Sequence, residues 1–137
     1  MNTGLPADQV ERALGAARKM AEDLGARVAI AVVDVGGNLG GFLRLPGAFL
    51  ASSDLAIDKA WTAASFGAST RGFSEMLEGT PRAVRDGLLR RPRVTEVPGG
   101  MPIMHDGRVI GALGVSGGSE IEDEQIAEGG LAAFGKV

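Results

Sequence analysis

Two short glycine-containing turns, each placed between apolar β-rich runs, constrain the fold of this chain most. The first turn, Gly36–Asn38, separates the apolar run Val28–Val33 from a second β-rich run, Leu39–Leu45. The second turn, Asp106-Gly107, joins two further apolar segments, and Asp-Gly in that setting is the strongest short-range hairpin signal. Because the strands of a hairpin pair antiparallel, the sequence predicts an antiparallel sheet and disfavours a parallel dinucleotide-binding sheet.

Helical periodicity accounts for most of the remaining chain. The predicted helices cover Pro6–Leu24, a segment from Ser52 or Ser53 to about Phe66, two short pieces between Thr70 and Arg91, and a C-terminal helix opened by the capping box Ser119-x-x-Glu122. The order is helix, hairpin, helices, hairpin, helix. It predicts an α+β fold in which helices pack on one antiparallel sheet, and residues 1–137 form a single domain.

The composition excludes several classes of function. The net charge of −3 argues against nucleic-acid binding, and the absence of cysteine removes disulfides, thiolate nucleophiles and thiolate metal sites. The longest strongly apolar stretch, Val28–Val33, is far too short to span a membrane. No secretory signal is visible at the N-terminus, so we expect a cytoplasmic protein.

The motif Gly114–Gly118 matches the G-x-S-x-G pattern of hydrolases and follows a predicted strand. In that fold the catalytic histidine comes after the serine, whereas the single histidine here, His105, comes before it. We therefore interpret the motif as a tight exit from the strand. Neither a phosphate-binding loop nor a dinucleotide fingerprint is present.

Two clusters of charge have simple structural interpretations. The carboxylates within Glu120–Glu124 complement the positive end of the last helix, and they predict no metal site because no second set of ligands accompanies them. The arginines between Arg82 and Arg93 are typical of a solvated face.

Two cationic side chains and two glycine pairs predict a ligand pocket. Lys59 lies in an otherwise apolar helical segment and Arg44 ends the second strand, so together they could neutralise a carboxylate. Equally, Lys59 could pair with Asp34 or Asp58 and serve the structure alone. The glycine pairs, Gly36 with Gly37 and Gly99 with Gly100, either present backbone N–H groups to an anion or supply turns with positive φ.

Three side chains are candidates for acid–base catalysis: Asp34, Lys59 and His105. His105 could also ligate haem iron, or it could be an exposed residue beside a turn. The sequence identifies no cofactor.

The order and spacing of these pieces resemble the GlcG/HbpS family, which includes the C-terminal domain of PduO-type corrinoid adenosyltransferases. The matching segments are Ile30–Leu39, Arg44, Lys59-Ala60-x-x-Ala63-Ala64, Gly99–Ile103, Asp106–Gly118 and Asp123-Glu124-x-Ile126-Ala127. The resemblance implies a sheet of about five antiparallel strands flanked by helices in a profilin-like arrangement, and assembly into homo-oligomers. Family members are associated with haem binding, with corrinoid-related domains and with glycolate-utilisation operons. They often carry a histidine where Asn38 stands here.

These observations lead to three hypotheses. The first is a homo-oligomeric protein, in a catabolic or biosynthetic gene context, that binds a small anionic organic ligand beside the first hairpin, near Arg44, Lys59 and the Gly99-Gly100 pair. The second is an enzyme that acts on a small organic acid or a related metabolite. The third is a haem-binding protein that uses His105, with Met101 and Met104 as further conceivable ligands.

Overall fold

Five helices and four strands are found within residues 4–134, the part of the chain that the computed structural model describes. In chain order they are α1 (Ala7–Leu24), β1 (Ala29–Asp34), β2 (Leu39–Arg44), α2 (Leu50–Phe66), α3 (Thr70–Glu78), α4 (Arg82–Leu89), β3 (Gly100–His105), β4 (Arg108–Ser116) and α5 (Glu120–Ala133). The predicted α+β fold is confirmed. No helix in this range is long and apolar enough to cross a lipid bilayer, and a cytoplasmic location stays a prediction.

The strands form one antiparallel sheet in the order β2-β1-β4-β3. Both predicted hairpins are present, and Asp106 and Gly107 both have positive φ, as a two-residue type I′ turn requires. The expectation of about five strands is wrong by one. The connection from α4 to β3 contains Pro92 and Pro98, which lack the N–H group that a ladder needs, and it forms no strand.

Several helix ends follow local chemistry. Gly25 ends α1 in the left-handed conformation, and Ser119 and Glu122 form the predicted capping box at the start of α5. The predicted cap of α2 at Ser52 or Ser53 is wrong, because the helix begins at Leu50 after Phe49. Ser52 is buried within the first turn and is only 4% exposed.

The two faces of the sheet pack against different layers. Val28 and Ile30 share a core cluster with α1 and α5, whereas Ala29, Ala31 and Val33 pack against the alanines of α2. Contact on the α2 face is very close. A Cβ atom added to Gly114 would lie 2.0 Å from the carbonyl oxygen of Ala56. Small residues on both sides therefore let the α2 backbone rest almost directly on the sheet.

Candidate functional site

The sheet has two chemically different ends. Both tight turns, 35–38 and 106–107, lie at one end, which we call the hairpin end. At the other end Ala29 pairs with Arg44 on one side and with Ser116 on the other, and we call this the cleft end. With a rise of about 3.3 Å per residue, the six residues of β1 separate the two ends by about 17 Å.

Lys59 is the centre of the cleft end. Its side chain extends from α2 and is 1% exposed. The Nζ atom donates to the carbonyl oxygen of Val115 at 2.8 Å and to Oδ2 of Asp123 at 3.1 Å. The other carboxylate oxygen of Asp123 accepts from the N–H of Gly118 at 2.9 Å. One ion pair thus joins α2, β4 and α5, and the partner of Lys59 is Asp123 rather than Asp34 or Asp58.

Burial opposes the charge on both members of this pair. Loss of hydration lowers the pKa of Lys59, and the nearby carboxylates, Asp123 first among them, oppose that shift. Loss of hydration likewise raises the pKa of Asp123, against the effects of Lys59 and of the Gly118 N–H. Each charge is therefore supported by the other, and burial brings the pKa values of the two groups closer together.

A cleft of about 330 Å³ lies beside the pair. Its residues come from α2 and the segment before it, from the exit of β4, from the start of α5, and from the loop before β3. They are Phe49, Ala51, Ser52, Leu55, Lys59, Val97, Ser116, Gly117, Gly118, Glu120 and Asp123. The cleft combines apolar walls with a small number of polar groups, which is the usual character of a small-molecule site.

Two hydroxyl groups at this cleft have no partner within residues 4–134. The residues Ser52 and Ser116 are 4% and 3% exposed, and neither hydroxyl makes a hydrogen bond to any residue in that range. Neither oxygen is fully cut off from solvent, so both hydroxyls are open to water or to a ligand in the cleft. Lys59 carries three N–H donors, of which two have acceptors.

The glycine pair Gly99-Gly100 makes room for Lys59. A Cβ atom at Gly99, where φ is +130°, would lie 2.9 Å from the Nζ of Lys59 and 2.4 Å from the carbonyl oxygen of Val115. A Cβ atom at Gly100 would lie 2.4 Å from the carbonyl oxygen of Lys59. The N–H of Gly100 is already bonded to Oγ1 of Thr70 at 2.9 Å. In this structure the pair shapes the wall around the ammonium group.

Arg44 also lies at the cleft end, but it is exposed and its guanidinium donates to the carbonyl oxygen of Ala48. It does not belong to the residues that line the cleft. The cationic group that faces the cleft is that of Lys59.

The other predicted site residues lie at the hairpin end. Oδ1 of Asp34 accepts from the backbone N–H groups of Gly36 and Asn38, both at 2.9 Å, so its carboxylate closes the first turn. Gly37 has a φ of +83°, and with Gly36 it borders a hollow of about 90 Å³ beside Trp61. His105 is partly exposed, and its Nε2 lies 3.4 Å from Oδ2 of Asp106.

The three predicted acid–base residues are therefore not assembled into one constellation. Lys59 is at the cleft end, whereas Asp34 and His105 are at the hairpin end. Their individual roles stay predictions. Within residues 4–134, no three His, Asp or Glu side chains are grouped so that they could hold a metal ion.

Sequence reasoning missed Asp123, Ser52 and Ser116 as members of the site. Asp123 had been explained by the dipole of α5, Ser52 by a helix cap and Ser116 by the tight exit from β4. Each residue type suited its local interpretation. The pairing of Lys59 with Asp123 spans 64 positions, and no local pattern indicates it.

Comparison with known proteins identifies the family of this chain. Residues 5–132 match the model of a family described as haem degrading protein HbpS-like. The chain belongs to this family. The predicted GlcG/HbpS resemblance is thereby confirmed, and it extends over nearly all of the described residues.

Three relatives of known name are similar to this HbpS-like chain. Corrinoid adenosyltransferase PduO of Salmonella typhimurium is 38% identical over 87% of this chain, which spans only 35% of PduO. The crystal structure of a PduOC:haem complex is 34% identical, with a TM-score of 0.86 and coverage of 95% of this chain and 94% of that one. A double mutant of Streptomyces reticuli HbpS is 35% identical, with a TM-score of 0.88 and coverage of 98% and 90%.

Proposed function

We propose that this HbpS-like protein is a homo-oligomeric small-molecule-binding protein, and that it holds an anionic organic ligand in the cleft beside Lys59 and Asp123. The observation that carries the proposal is the pair of serine hydroxyls, Ser52 and Ser116, that open onto the cleft without partners among residues 4–134, next to an ammonium group with an open N–H position. A bound ligand with acceptor atoms can take the place of the water that such groups would otherwise bind.

The cleft suits a ligand that has a polar end and an apolar body. A carboxylate at the floor would accept hydrogen bonds from the two serine hydroxyls and from the third N–H of Lys59. The body of the ligand would lie against Phe49, Leu55 and Val97. Glu120 at the rim would repel a second negative charge on the ligand. Nη2 of Arg71 lies 3.5 Å from Oε2 of Glu120 and offsets part of that repulsion.

Benzoate is a suitable probe because it combines one carboxylate with an apolar ring. Thermal unfolding and calorimetric titration should show stabilisation by benzoate, with weaker effects from acetate, which lacks the ring, and from benzyl alcohol, which lacks the charge. The double variant Ser52→Ala/Ser116→Ala should lose most of the benzoate effect. The matched control is Ser53→Ala, since Ser53 neighbours Ser52 in the chain but does not line the cleft.

Equal shifts with all three probes would overturn the proposal, as would undiminished benzoate binding by the double serine variant. Arg44 as a ligand residue stays a prediction. Arg44→Gln tests it, and a weaker benzoate shift would support a contribution across the cleft end.

Self-association is supported by large apolar side chains around the cleft. Phe49, Leu50 and Ile121 are 73%, 87% and 66% exposed, and Leu50 and Ile121 follow cleft residues directly in the chain. We expect a second copy to cover this rim, because exposed apolar patches usually mark contact surfaces.

Light scattering should show an oligomer that Leu50→Glu dissociates. Val84→Glu, on the exposed surface of α4, should leave it intact. A monomeric wild-type protein would refute this part of the proposal.

Haem is the second candidate ligand, and the PduOC:haem complex is the observation that favours it. The cleft offers no axial ligand, because no histidine or methionine lines it. His105 at the end of β3 could hold the iron at the hairpin end, and Arg108 opposite His105 could pair with a haem carboxylate. The half-exposed Met104 precedes His105 in the same strand and points to the other face of the sheet, so it would not share that iron. Bound haem would supply iron redox and ligand chemistry.

Titration with haemin should shift the Soret band, and His105→Ala should abolish the shift whereas Met101→Leu should not. An unchanged shift in His105→Ala would remove His105 as the ligand.

A further inference from the structure

Lys59 differs from an ordinary lysine in three independent ways. It is buried, it forms part of a cleft that is large enough for a small organic molecule, and a carboxylate lies 3.1 Å from its Nζ atom. The other lysine of the described chain, Lys19, is exposed on α1. Amines in such buried surroundings are the ones that proteins use as nucleophiles, because burial increases the fraction of the neutral amine.

The surroundings also leave space beside the nitrogen. Two of its three hydrogen-bond positions are taken, by Val115 and Asp123. The glycine at position 99 keeps the neighbouring wall free of a side chain whose first carbon would stand only 2.9 Å from Nζ. An electrophilic carbon in the cleft could therefore approach the amine from its open side.

We propose that Lys59 is a carbonyl-reactive lysine that forms an imine with a small aldehyde or ketone held in the cleft. The inference rests on the proposed function only in that the same cleft holds the ligand. It narrows the ligand class to molecules that carry a carbonyl group.

The reaction requires no oxidant or reductant. Asp123 first takes a proton from the ammonium group through their hydrogen bond, which frees the nitrogen lone pair. The nitrogen then attacks the carbonyl carbon, a C–N bond forms, and the C=O π electrons move to oxygen. A second proton passes from the nitrogen to this oxygen and gives the neutral carbinolamine. Protonated Asp123 donates its proton to the hydroxyl, which leaves as water while the nitrogen lone pair forms the C=N bond. The third nitrogen proton returns to the Asp123 carboxylate and leaves the imine. Ser52 and Ser116 are placed to donate hydrogen bonds to the oxygen as it becomes negative.

The small number of lysines makes this reaction simple to detect. The chain has three, Lys19, Lys59 and Lys136. The full-length protein is incubated at neutral pH with benzaldehyde and sodium cyanoborohydride, which reduces any imine to a stable benzylamine. Peptide mass spectrometry should find the benzyl group mainly on Lys59, although this lysine is less accessible to bulk solvent than Lys19. Labelling of Lys19 but not of Lys59, or equal labelling of both, would overturn the proposal.

Two variants separate chemistry from loss of structure. Asp123→Asn keeps a hydrogen-bond acceptor beside Lys59 but removes the group that protonates the departing hydroxyl. Labelling of Lys59 should therefore fall, even though loss of the carboxylate leaves more of the amine neutral, whereas labelling of Lys19 stays unchanged. Ser53→Ala, outside the cleft, should label as the wild type does. Labelling of Lys59 in Asp123→Asn at the wild-type rate would refute the role of Asp123.

Benzoate distinguishes this inference from the proposed function. If benzoate stabilises the protein and also protects Lys59 from benzaldehyde, both are supported. Benzoate binding without any labelling of Lys59 refutes the imine alone. Labelling of Lys59 that benzoate does not reduce supports the imine and refutes the carboxylate site.

Discussion

The hairpin end and the cleft end of the sheet satisfy their polar groups by different means. At the hairpin end Asp34 accepts hydrogen bonds from residues two and four positions away, and the second turn needs only the conformations of Asp106 and Gly107. At the cleft end Lys59 bonds to groups 56 and 64 positions away. The hairpin end is held by hydrogen bonds between residues close in sequence. The polar contacts of the cleft end form only when α2, β4 and α5 have packed together.

This difference bears on function. A turn whose backbone N–H groups are used locally leaves none of them for a ligand. At the cleft end the fixed positions of α2, β4 and α5 leave two hydroxyls and one N–H without partners among the residues that the structure describes. The cleft end should therefore be both the more vulnerable and the more functional of the two.

Removal of one partner from the buried ion pair tests that vulnerability most strongly. Asp123→Ala should lower the free energy of unfolding by about 3–5 kcal/mol, because it leaves the ammonium group of Lys59 buried and unpaired. Urea denaturation followed by circular dichroism measures the change.

The matched control removes both charges. Lys59→Met/Asp123→Leu replaces the pair by apolar side chains of similar size and should recover most of the lost stability. A double variant no more stable than Asp123→Ala would show that the loss comes from packing rather than from an isolated charge.

Two glycines provide the next comparison between the ends. Gly114 faces α2 near the cleft end, and a Cβ atom there would lie 2.0 Å from the Ala56 carbonyl oxygen and 2.6 Å from the Ala60 nitrogen. Gly114→Ala should therefore force α2 outward and cost about 1–3 kcal/mol. At the hairpin end Gly107 has a φ of +75° and open space around it, so Gly107→Ala should cost only about 1–2 kcal/mol of backbone strain.

Benzoate affinity separates these two glycine variants further. Gly114→Ala should weaken benzoate binding because α2 carries Ser52 and Lys59, whereas Gly107→Ala should not affect it. Equal effects of both variants on binding would contradict the assignment of the ligand to the cleft end.

The same contrast explains what the sequence could predict. The Asp106-Gly107 turn, the Gly25 helix end and the Ser119–Glu122 capping box are each encoded within a few residues, so the hairpins and these two helix ends were predictable. The strand count was not, because the expected additional strand came from the family resemblance. Here the proline-containing connection before β3 remains without ladder pairing.

The site was only half predictable for the same reason. Lys59 was notable in the sequence because a lone charge in an apolar helix needs an explanation. Its partner was not notable, since Asp123 is one of four acids in a short run and every one of them suits a helix N-terminus. Which of the four turns inward depends on where α5 meets α2, and that follows from packing over the whole chain.

At the hairpin end, Asp34→Ala should cost about 1 kcal/mol, because it removes the acceptor for the N–H groups of Gly36 and Asn38, which water can then hydrate. Asp34→Asn, which retains an acceptor oxygen, is the control and should cost less. Both are measured by urea denaturation. A loss comparable to that of Asp123→Ala would contradict the view that this end is held together by local, solvent-compensated bonds.

The smallest expected effect is the pH dependence of stability that the ion pair itself contributes. It is obtained at each pH as the free energy of unfolding of the wild type minus that of Lys59→Met/Asp123→Leu. Burial raises the pKa of Asp123, so as the pH falls the folded state takes up a proton before the unfolded state does. The stability difference between the wild type and the double variant should therefore rise as the pH falls from the folded-state pKa to the ordinary value of 3.8. Because burial lowers the pKa of Lys59, the folded state releases a proton first as the pH rises, and the difference should rise again toward 10.5. The difference should therefore be smallest where both groups are charged. The effect is modest because mutual attraction offsets part of the burial cost. A maximum at neutral pH would instead mean that the pair is net stabilising as ions, and it would weaken the case for a proton that transfers easily from Lys59 to Asp123.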